Sequence, residues 1–400
     1  MLAAPAVGWG LTLYLAWKIW KQGKEAPAKE KITIPIGVWV WIIGMVILGM
    51  TTIVNHLEFN QGTVRIVKSL INVFCRQWAL FALFPLIGSC LKIRPQLIYR
   101  AVCILCLESL IFLVVNQVSQ RIGLPGELYV SPLSKFGGGA IHYRVNLYVG
   151  GNARLVFFGP WAPAMGLTAC TLFFMALAEP KQKWRWIGVI GAATMAWTTV
   201  SRTARVSLYF VPFITLFLAN IARPTLLIAT AIGSVVVGCF GPQLLLFAKD
   251  FKESFDRERI NSNVVRDRLA AIGLYRWWNE APIWGHALRE DEGPRVVVGM
   301  PIGGHHTWVG LLYYHGVIGC LAFALPMIWS FVELVLKAQK SKAAQVSLSV
   351  LIVLMLFSNA ENLNNLIHLF WPGLVLVGIA LKEPFPTLDE LMERSNQLAL

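Results

Sequence analysis

Long apolar runs recur along the whole chain, and they limit the folds open to it more than any other feature. Most of these runs have about the 17 to 25 residues that cross the apolar layer of a bilayer as a helix. Hydrophobic residues make up 56% of the sequence and charged residues only 14%, whereas a soluble domain carries roughly 25% charged residues. Because backbone groups in lipid must be hydrogen-bonded within the chain, the sequence predicts an all-α, polytopic transmembrane helical bundle.

The apolar pattern predicts about eleven spans and three segments. The spans are expected near residues 2–20, 34–55, 70–91, 101–118, 156–178, 186–200, 206–221, 224–248, 305–332, 343–359 and 364–381. Residues 1–155 hold the first spans and an outer loop, and residues 336–400 hold the last spans and an inner tail. The central segment, 156–335, includes a long and partly helical outer loop at 249–304.

The distribution of basic residues predicts which side of the membrane each loop faces. The chain has 35 Lys and Arg and a net charge of +14. Short connections on one side hold 15 of these cations and those on the other side hold four, so the first side is predicted to be cytoplasmic. All loops counted, the predicted inner side has 12 Lys and 5 Arg, and the outer side has 4 Lys and 13 Arg. Since guanidinium binds phosphate through a planar fork of donors, the outer face is expected to hold an anion.

Two arginines on the outer side lie between closely spaced apolar runs. Arg202 and Arg205 belong to the sequence Ser201-Arg202-Thr203-Ala204-Arg205. Ionisable groups at this depth usually face the interior of a bundle or a water-filled cavity. The alternative is a tight turn whose arginines extend to the lipid headgroups.

The outer loop at 249–304 contains a charged, helix-compatible stretch that ends at Pro282 and Gly285. It is predicted to form one or two helices at the outer leaflet, above a cavity in the bundle. Arg266 and Arg268 on such a helix would face a lipid diphosphate. The alternative is that Asp267 pairs with one of these arginines on a solvated face.

Two histidines open the ninth predicted span. His305 and His306 follow Gly303 and Gly304, at a helix N-terminus that directs free N–H groups and partial positive charge outward. That environment disfavours a protonated imidazole, so either ring is suited to act as a general base. Adjacent residues on a helix point about 100° apart, so at most one ring is expected to face the site. The alternative is a capping or core role.

In combination these residues resemble the O-antigen ligase and O-antigen polymerase family of bacterial envelope enzymes. The matching elements are Ser201-Arg202, then Arg268 fourteen residues before Pro282-Ile283-Trp284-Gly285. His305 follows, eleven residues before Gly316-Val317-Ile318-Gly319. The resemblance covers roughly residues 155–335.

This resemblance implies transfer of a saccharide chain from a polyprenyl diphosphate donor to a sugar hydroxyl, either on lipid A core or on a second lipid-linked chain. The reaction would take place at the periplasmic face of the bacterial inner membrane, without a metal or other cofactor. In this reading Arg202 and Arg268 hold the diphosphate, Arg205 and Arg266 assist, His305 is the base and His306 is auxiliary.

Other functions fit parts of the same pattern. A transporter or flippase would use the arginines to bind an anionic lipid without chemistry. A metal-dependent glycosyltransferase would use a carboxylate such as Asp250 or Asp267, and a scaffold would need no site at all. Nucleic-acid binding is the weaker reading of the positive charge, because loop lysines also set membrane orientation.

Overall fold

The computed structural model describes residues 2–22, 31–123, 126–132, 134, 144–149, 154–221, 223–257, 260–287, 297 and 300–387. The described part is mostly helical, with 78% of the described residues in helices. The α-helices are α1 Ala3–Gln22, α2 Ile36–Glu58, α3 Thr63–Ser69, α4 Leu80–Cys90, α5 Pro95–Arg121, α6 Ala162–Leu177, α7 Gln182–Thr198, α8 Arg202–Leu218, α9 Pro224–Arg257, α10 Ile260–Glu280, α11 Thr307–Ala338, α12 Lys342–Phe357 and α13 Leu363–Lys382. A π-helical segment, Leu70–Trp78, joins α3 to α4.

Several of these helices fit a membrane. Among the described residues, α2, α5, α11 and α13 are long and apolar enough to cross one, and α3 to α4 forms a fifth span if its 43° bend is counted within one crossing. The prediction of a helical membrane protein is thus confirmed. The expected eleven spans are not, because several helices are short: α7 and α8 have 17 residues each, and α6 and α12 have 16.

The segment between α5 and α6 contains β-structure that the sequence analysis did not predict. Three short strands form an antiparallel sheet there: β1 Glu127–Val130, β2 Arg144–Val149 and β3 Arg154–Phe157. In β2, Val145, Leu147 and Val149 alternate with polar or amphipathic residues, which favours a strand over a helix. The span expected from residue 156 consequently begins only at Ala162, after β3 and a turn.

Two helix boundaries change the setting of predicted site residues. Helix α8 begins at Arg202 rather than near 206, so Arg202 and Arg205 occupy its first turn. The N-cap residue Ser201 accepts a hydrogen bond from the Ala204 N–H at 3.4 Å through its Oγ. The loop predicted from residue 249 begins instead as the last part of α9, which continues to Arg257.

The helices of all three predicted segments pack into one bundle. Helix α2 lies along α11, and α4 lies along α13. A Cβ atom at Gly88 in α4 would collide with the backbone at Val375 in α13, and one at Gly378 in α13 with the backbone at Pro85. Small residues at such contacts allow two backbones to approach closely.

A cluster of aromatic rings fills the middle of this bundle. Trp41, Trp78, Phe81, Phe323 and Phe370 are buried there, with ring centroids of neighbouring pairs 5.1 to 6.0 Å apart. Offset and edge-to-face ring pairs of this kind stabilise a core beyond the area they bury. The packing fixes the end of α2 and the starts of α11 and α13 close together at one end of the bundle. We call this the His305 end.

Candidate functional site

The turn Pro282–Gly285 and the break in α11 at Gly316 form one structural unit. Gly316 has a φ of 64°, and the Val317 N–H donates to the Pro282 carbonyl at 2.9 Å instead of to its own helix. A Cβ at Gly285 (φ 76°) would lie 2.5 Å from the backbone nitrogen of Gly316. A Cβ at Gly316 would collide with the carbonyl of Ile283. Gly285 and Gly316 belong to separate sequence motifs, but both are needed for the same close backbone contact.

Polar groups from neighbouring elements reinforce this contact. The His286 N–H donates to the Tyr313 carbonyl at 2.8 Å. Asn55, near the end of α2, donates through Nδ2 to the carbonyls of Tyr314 at 2.8 Å and Trp284 at 3.2 Å. The break in α11 frees the carbonyls of Tyr313 and Tyr314 from their own helix, and these bonds use both of them. As a result, α10, the turn and the first part of α11 are held in one geometry.

His286, a histidine outside the predicted site, stabilises the end of α10. Its Nε2 lies 2.8 Å from Oε2 of Glu280, and its ring stacks on Tyr313 with centroids 4.5 Å apart. Arg276 also donates to Glu280, at 3.0 Å. Burial alone would raise the pKa of the Glu280 carboxyl, but the hydrogen bonds and charges of His286 and Arg276 outweigh it and lower that pKa. We assign this cluster to structure.

The start of α11 is tied to the connection between α12 and α13. His306 is the N-cap of α11, and its Nδ1 accepts a hydrogen bond from the Val309 N–H at 3.4 Å. The Thr307 N–H donates to the Ser358 carbonyl at 2.9 Å, and the Thr307 hydroxyl donates to the Glu361 carbonyl at 2.6 Å. Burial lowers the pKa of the His306 imidazole, which fits a ring that accepts at Nδ1. His306 thus has a structural task that His305 lacks.

Glu361 is the buried acid of this region. Its side chain is 1% exposed. One carboxylate oxygen accepts from the Trp161 indole N–H at 2.7 Å, and the other lies 3.7 Å from Nη2 of Arg266. Burial raises the pKa of the Glu361 carboxyl to about 7, although Arg266 and the Trp161 hydrogen bond act to lower it. Near neutral pH this carboxyl is therefore partly protonated.

His305 is half-buried beside this pair. Burial, and next the charge of Arg266, lower the pKa of its imidazole below the usual 6.5, so the ring is neutral at neutral pH. Its Nε2 lies 3.3 Å from the Met300 sulfur. A thioether accepts hydrogen bonds only weakly, so this contact orients the ring without engaging it strongly. A neutral imidazole next to a guanidinium suits proton abstraction close to a bound anion.

The other predicted arginines lie on α8 and, two residues after Arg266, on α10. Arg205 stacks its guanidinium over the Trp197 ring at 4.7 Å, and Arg202 is half-buried in the same turn of α8. Arg268 is exposed on α10. In the described part of the chain, no hydrogen bond joins Arg205 or Arg268 to His305. Of the four predicted arginines, Arg266 is the one whose charge lowers the pKa of the His305 imidazole.

Glu361 and Trp161 are the site residues that sequence reasoning missed. Glu361 is an acid between two long apolar runs, next to Asn362, and this position was the available signal. Trp161 lies in the turn after β3, within a stretch expected to be membrane helix. Their contact depends on how α6 packs against α12 and α13, which no local sequence pattern predicts.

A search finds no protein family and no characterised protein whose sequence matches this chain. Function is therefore inferred from the residue pattern and from the geometry of the His305 end.

Proposed function

We propose that this protein is a metal-independent membrane glycosyltransferase of the O-antigen ligase or polymerase type. The supporting observation is a half-buried His305 just before α11, within electrostatic reach of Arg266, which lies 3.7 Å from Glu361 at the same end of the bundle. The donor is a saccharide linked through diphosphate to a polyprenol, and the acceptor is a sugar hydroxyl. The product belongs to O-antigen, capsule or exopolysaccharide biosynthesis. The site faces the periplasm, and the chain is embedded in the bacterial inner membrane.

In this mechanism His305 accepts the proton of the acceptor hydroxyl. The hydroxyl oxygen attacks the anomeric carbon of the donor sugar, a new glycosidic bond forms, and the bond between that carbon and the diphosphate breaks. The electron pair of the broken bond leaves with the lipid diphosphate. Arg266 stabilises the negative charge that develops there, and a fixed charge or donor in such a position contributes about 10²- to 10³-fold in rate.

The remaining arginines bind the donor at larger distance from the reacting atoms. Arg268 lies two residues from Arg266 on α10 and is exposed to solvent. Arg202 and Arg205 lie in the first turn of α8, where Trp197 holds the Arg205 guanidinium. These three cations attract the diphosphate as it approaches, while Arg266 contacts it during transfer. His306 acts by capping α11, which positions His305.

Glu361 has a place in the same cycle as the counter-ion of Arg266 before the donor binds. A diphosphate at Arg266 would be repelled by an ionised carboxylate 3.7 Å from the guanidinium. Because the Glu361 pKa is about 7, protonation removes that repulsion at small cost.

The test uses purified protein with a polyprenyl-diphosphate oligosaccharide, with and without lipid A core. Longer lipid-linked chains identify a polymerase, and labelled core identifies a ligase. We expect His305→Ala to lower kcat by about 10²- to 10⁴-fold, and Arg266→Ala to lower it by about 10²-fold or more. Arg65→Ala, an exposed arginine at the same end of the bundle, is the matched control and should retain activity.

His306→Ala separates capping from chemistry. Loss of a cap costs on the order of 1 kcal/mol, so this variant should lose thermal stability and far less activity than His305→Ala. Three results oppose the proposal: no product with either acceptor, activity that a chelator abolishes, or His305→Ala at wild-type rate. Transport of an anionic lipid that needs Arg266 but not His305 would favour the flippase instead.

A further inference from the structure

A polar cavity lies next to the site, between α2, the π-helical segment, α11 and α13. Its volume is about 100 Å³. About 10 to 15 Å³ is enough for one water, so the space is several times that requirement. Polar side chains line much of it: Thr52, His56, Ser69, Asn362, Asn364 and Asn365. Among the described residues, no Asp, Glu, Lys or Arg lines the cavity.

Two buried polar atoms on the cavity lining have no hydrogen-bond partner among the described residues. These are the donor Nε1 of Trp78 and the acceptor Oδ1 of Asn364. Both side chains are at least nine-tenths buried. The rest of the Asn364 amide is used, since its Nδ2 donates to Gln77 at 2.6 Å. Both atoms are themselves closed to solvent, so the polar character of the cavity comes from the other hydroxyl, amide and imidazole groups of its lining residues.

The π-helical segment accounts for the position of Trp78. Its wider turn, in which the Ala79 N–H donates to the Phe74 carbonyl, ends the segment at Trp78. π-helical turns occur often at functional sites. The Trp78 ring packs edge-on against His315, so its indole is held in one orientation at the cavity. A rigid aromatic ring beside amide groups suits a sugar, which presents an apolar ring face and hydroxyl edges.

Some residues that line the cavity are sequence neighbours of the proposed active-site residues. Gly304 on its lining precedes His305, and Asn362 on its lining follows Glu361. A Cβ at Gly310 would lie 3.8 Å from the Asn362 Nδ2, so the amide sits against the first turn of α11. The part of the site that holds Arg266 thus adjoins a cavity whose described lining has no Asp, Glu, Lys or Arg.

We propose that this cavity binds one neutral sugar residue of the acceptor glycan and thereby presents its hydroxyl to His305. The assignment of this sugar to the acceptor rests on the proposed function. Binding of a neutral sugar in the cavity is tested independently of it. The hydroxyl groups of a sugar pair with the hydroxyl and amide groups of the lining. An anionic sugar would find no Lys or Arg there, and an apolar chain would make no hydrogen bonds with this lining.

The test measures binding by the full chain in lipid nanodiscs, using methyl glycosides of glucose, galactose, heptose and N-acetylglucosamine. Methyl glucuronide is the charged comparison, and saturation-transfer NMR is the readout. We expect at least one neutral glycoside to bind and Asn364→Leu to weaken it by about tenfold or more. The matched control is Asn359→Leu, because Asn359 is exposed at the same end and does not line the cavity.

A second variant, Asn362→Ala, guards against misfolding of Asn364→Leu. Asn362 makes no side-chain capping bond to α13, so its truncation should leave the helix intact. We expect it to weaken glycoside binding and, in the transfer assay, to raise the acceptor KM without changing the donor KM. Two results overturn the inference: no neutral glycoside binds up to tens of millimolar, which leaves ordered water as the occupant, or both variants bind as tightly as Asn359→Leu.

These outcomes separate the two proposals. If neutral glycosides bind and the variants weaken them but no transfer is detected, the sugar site stands and the glycosyltransferase proposal fails. If transfer occurs and neither cavity variant changes the acceptor KM or glycoside binding, the glycosyltransferase stands and the acceptor lies elsewhere.

Discussion

At the scale of single residues, Glu361 is the buried acid that faces Arg266 in the proposed site. Its carboxyl is almost fully buried, and it meets Arg266 at 3.7 Å and Trp161 at 2.7 Å. Removal from water favours the neutral acid, whereas the arginine favours the carboxylate. The balance places the pKa near 7, so neither state is strongly preferred at neutral pH.

Glu361→Gln tests this balance through stability. The folded-state pKa is raised from 4.5 to about 7, so the folded protein holds an extra proton between those values. The free energy of unfolding therefore falls as the pH rises from about 4.5 and levels off above 7, a loss on the order of 3 kcal/mol at most. The glutamine variant lacks this loss and should gain stability relative to wild type as the pH rises.

The measurement is the apparent Tm of both proteins in detergent at pH 5 and pH 8. Glu58→Gln, an exposed acid at the end of α2, is the control and should follow wild type. A Tm difference between wild type and Glu361→Gln that is the same at both pH values would refute the shifted carboxyl.

At the scale of elements, the break in α11 is the feature on which the site depends. The first part of α11 carries the cap His306 and follows His305, and its direction is set at Gly316 by the turn Pro282–Gly285. The same turn ends α10, which carries Arg266. The contact between this turn and Gly316 therefore sets the position of His305, the proposed base, relative to Arg266. Long helices are seldom kinked without such a cause.

Gly316→Ala should therefore reduce both stability and activity. A Cβ there would collide with the Ile283 carbonyl, and the φ of 64° is unfavourable for alanine, so we expect a cost of at least about 1 to 3 kcal/mol. Gly10→Ala in α1 is the matched control, because a Cβ at Gly10 meets nothing within 4 Å and alanine favours a helix. Equal Tm values for the two variants would contradict the backbone contact we describe.

At the scale of the whole molecule, the two ends of the bundle differ in kind. Far from the His305 end, Lys337 donates to Glu333 at 2.6 Å and to the Leu381 carbonyl at 2.6 Å, so its charge is fully engaged in structure. At the His305 end, by contrast, Arg266 is 3.7 Å from its acid and about a third exposed. The positive-inside pattern predicts that this second end faces outward.

Cysteine labelling in intact spheroplasts checks that orientation. Asn359→Cys lies at the His305 end and Lys340→Cys at the opposite end, and both positions are exposed. An impermeant maleimide should label Asn359→Cys in intact cells and Lys340→Cys only after permeabilisation. The unmodified chain gives the background from its own cysteines, of which Cys239 is exposed. The reverse pattern would place the site in the cytoplasm and remove the proposed donor.

The sequence by itself determined the helical membrane class, because apolar runs of span length leave a chain no other way to satisfy its backbone in lipid. It also identified His305, Arg266, Pro282–Gly285 and Gly316, since each is a local signal of charge, helix start or backbone break. Sequence alone did not identify the small sheet after α5, whose strands are short, or the helix boundaries at Ala162 and Arg202.

Only the tertiary structure decided which of these residues meet. Arg266 rather than Arg268 meets Glu361 and acts on the charge state of His305. The reason is the fixed rotation of α10 against α11. Glu361 and Trp161 join the site from residues 200 apart in the chain, and the polar cavity is assembled from four separate elements. Such contacts depend on the direction in which each helix presents its side chains to the next one. Periodicity along one segment gives the face of a helix, but packing against neighbouring helices determines what that face touches.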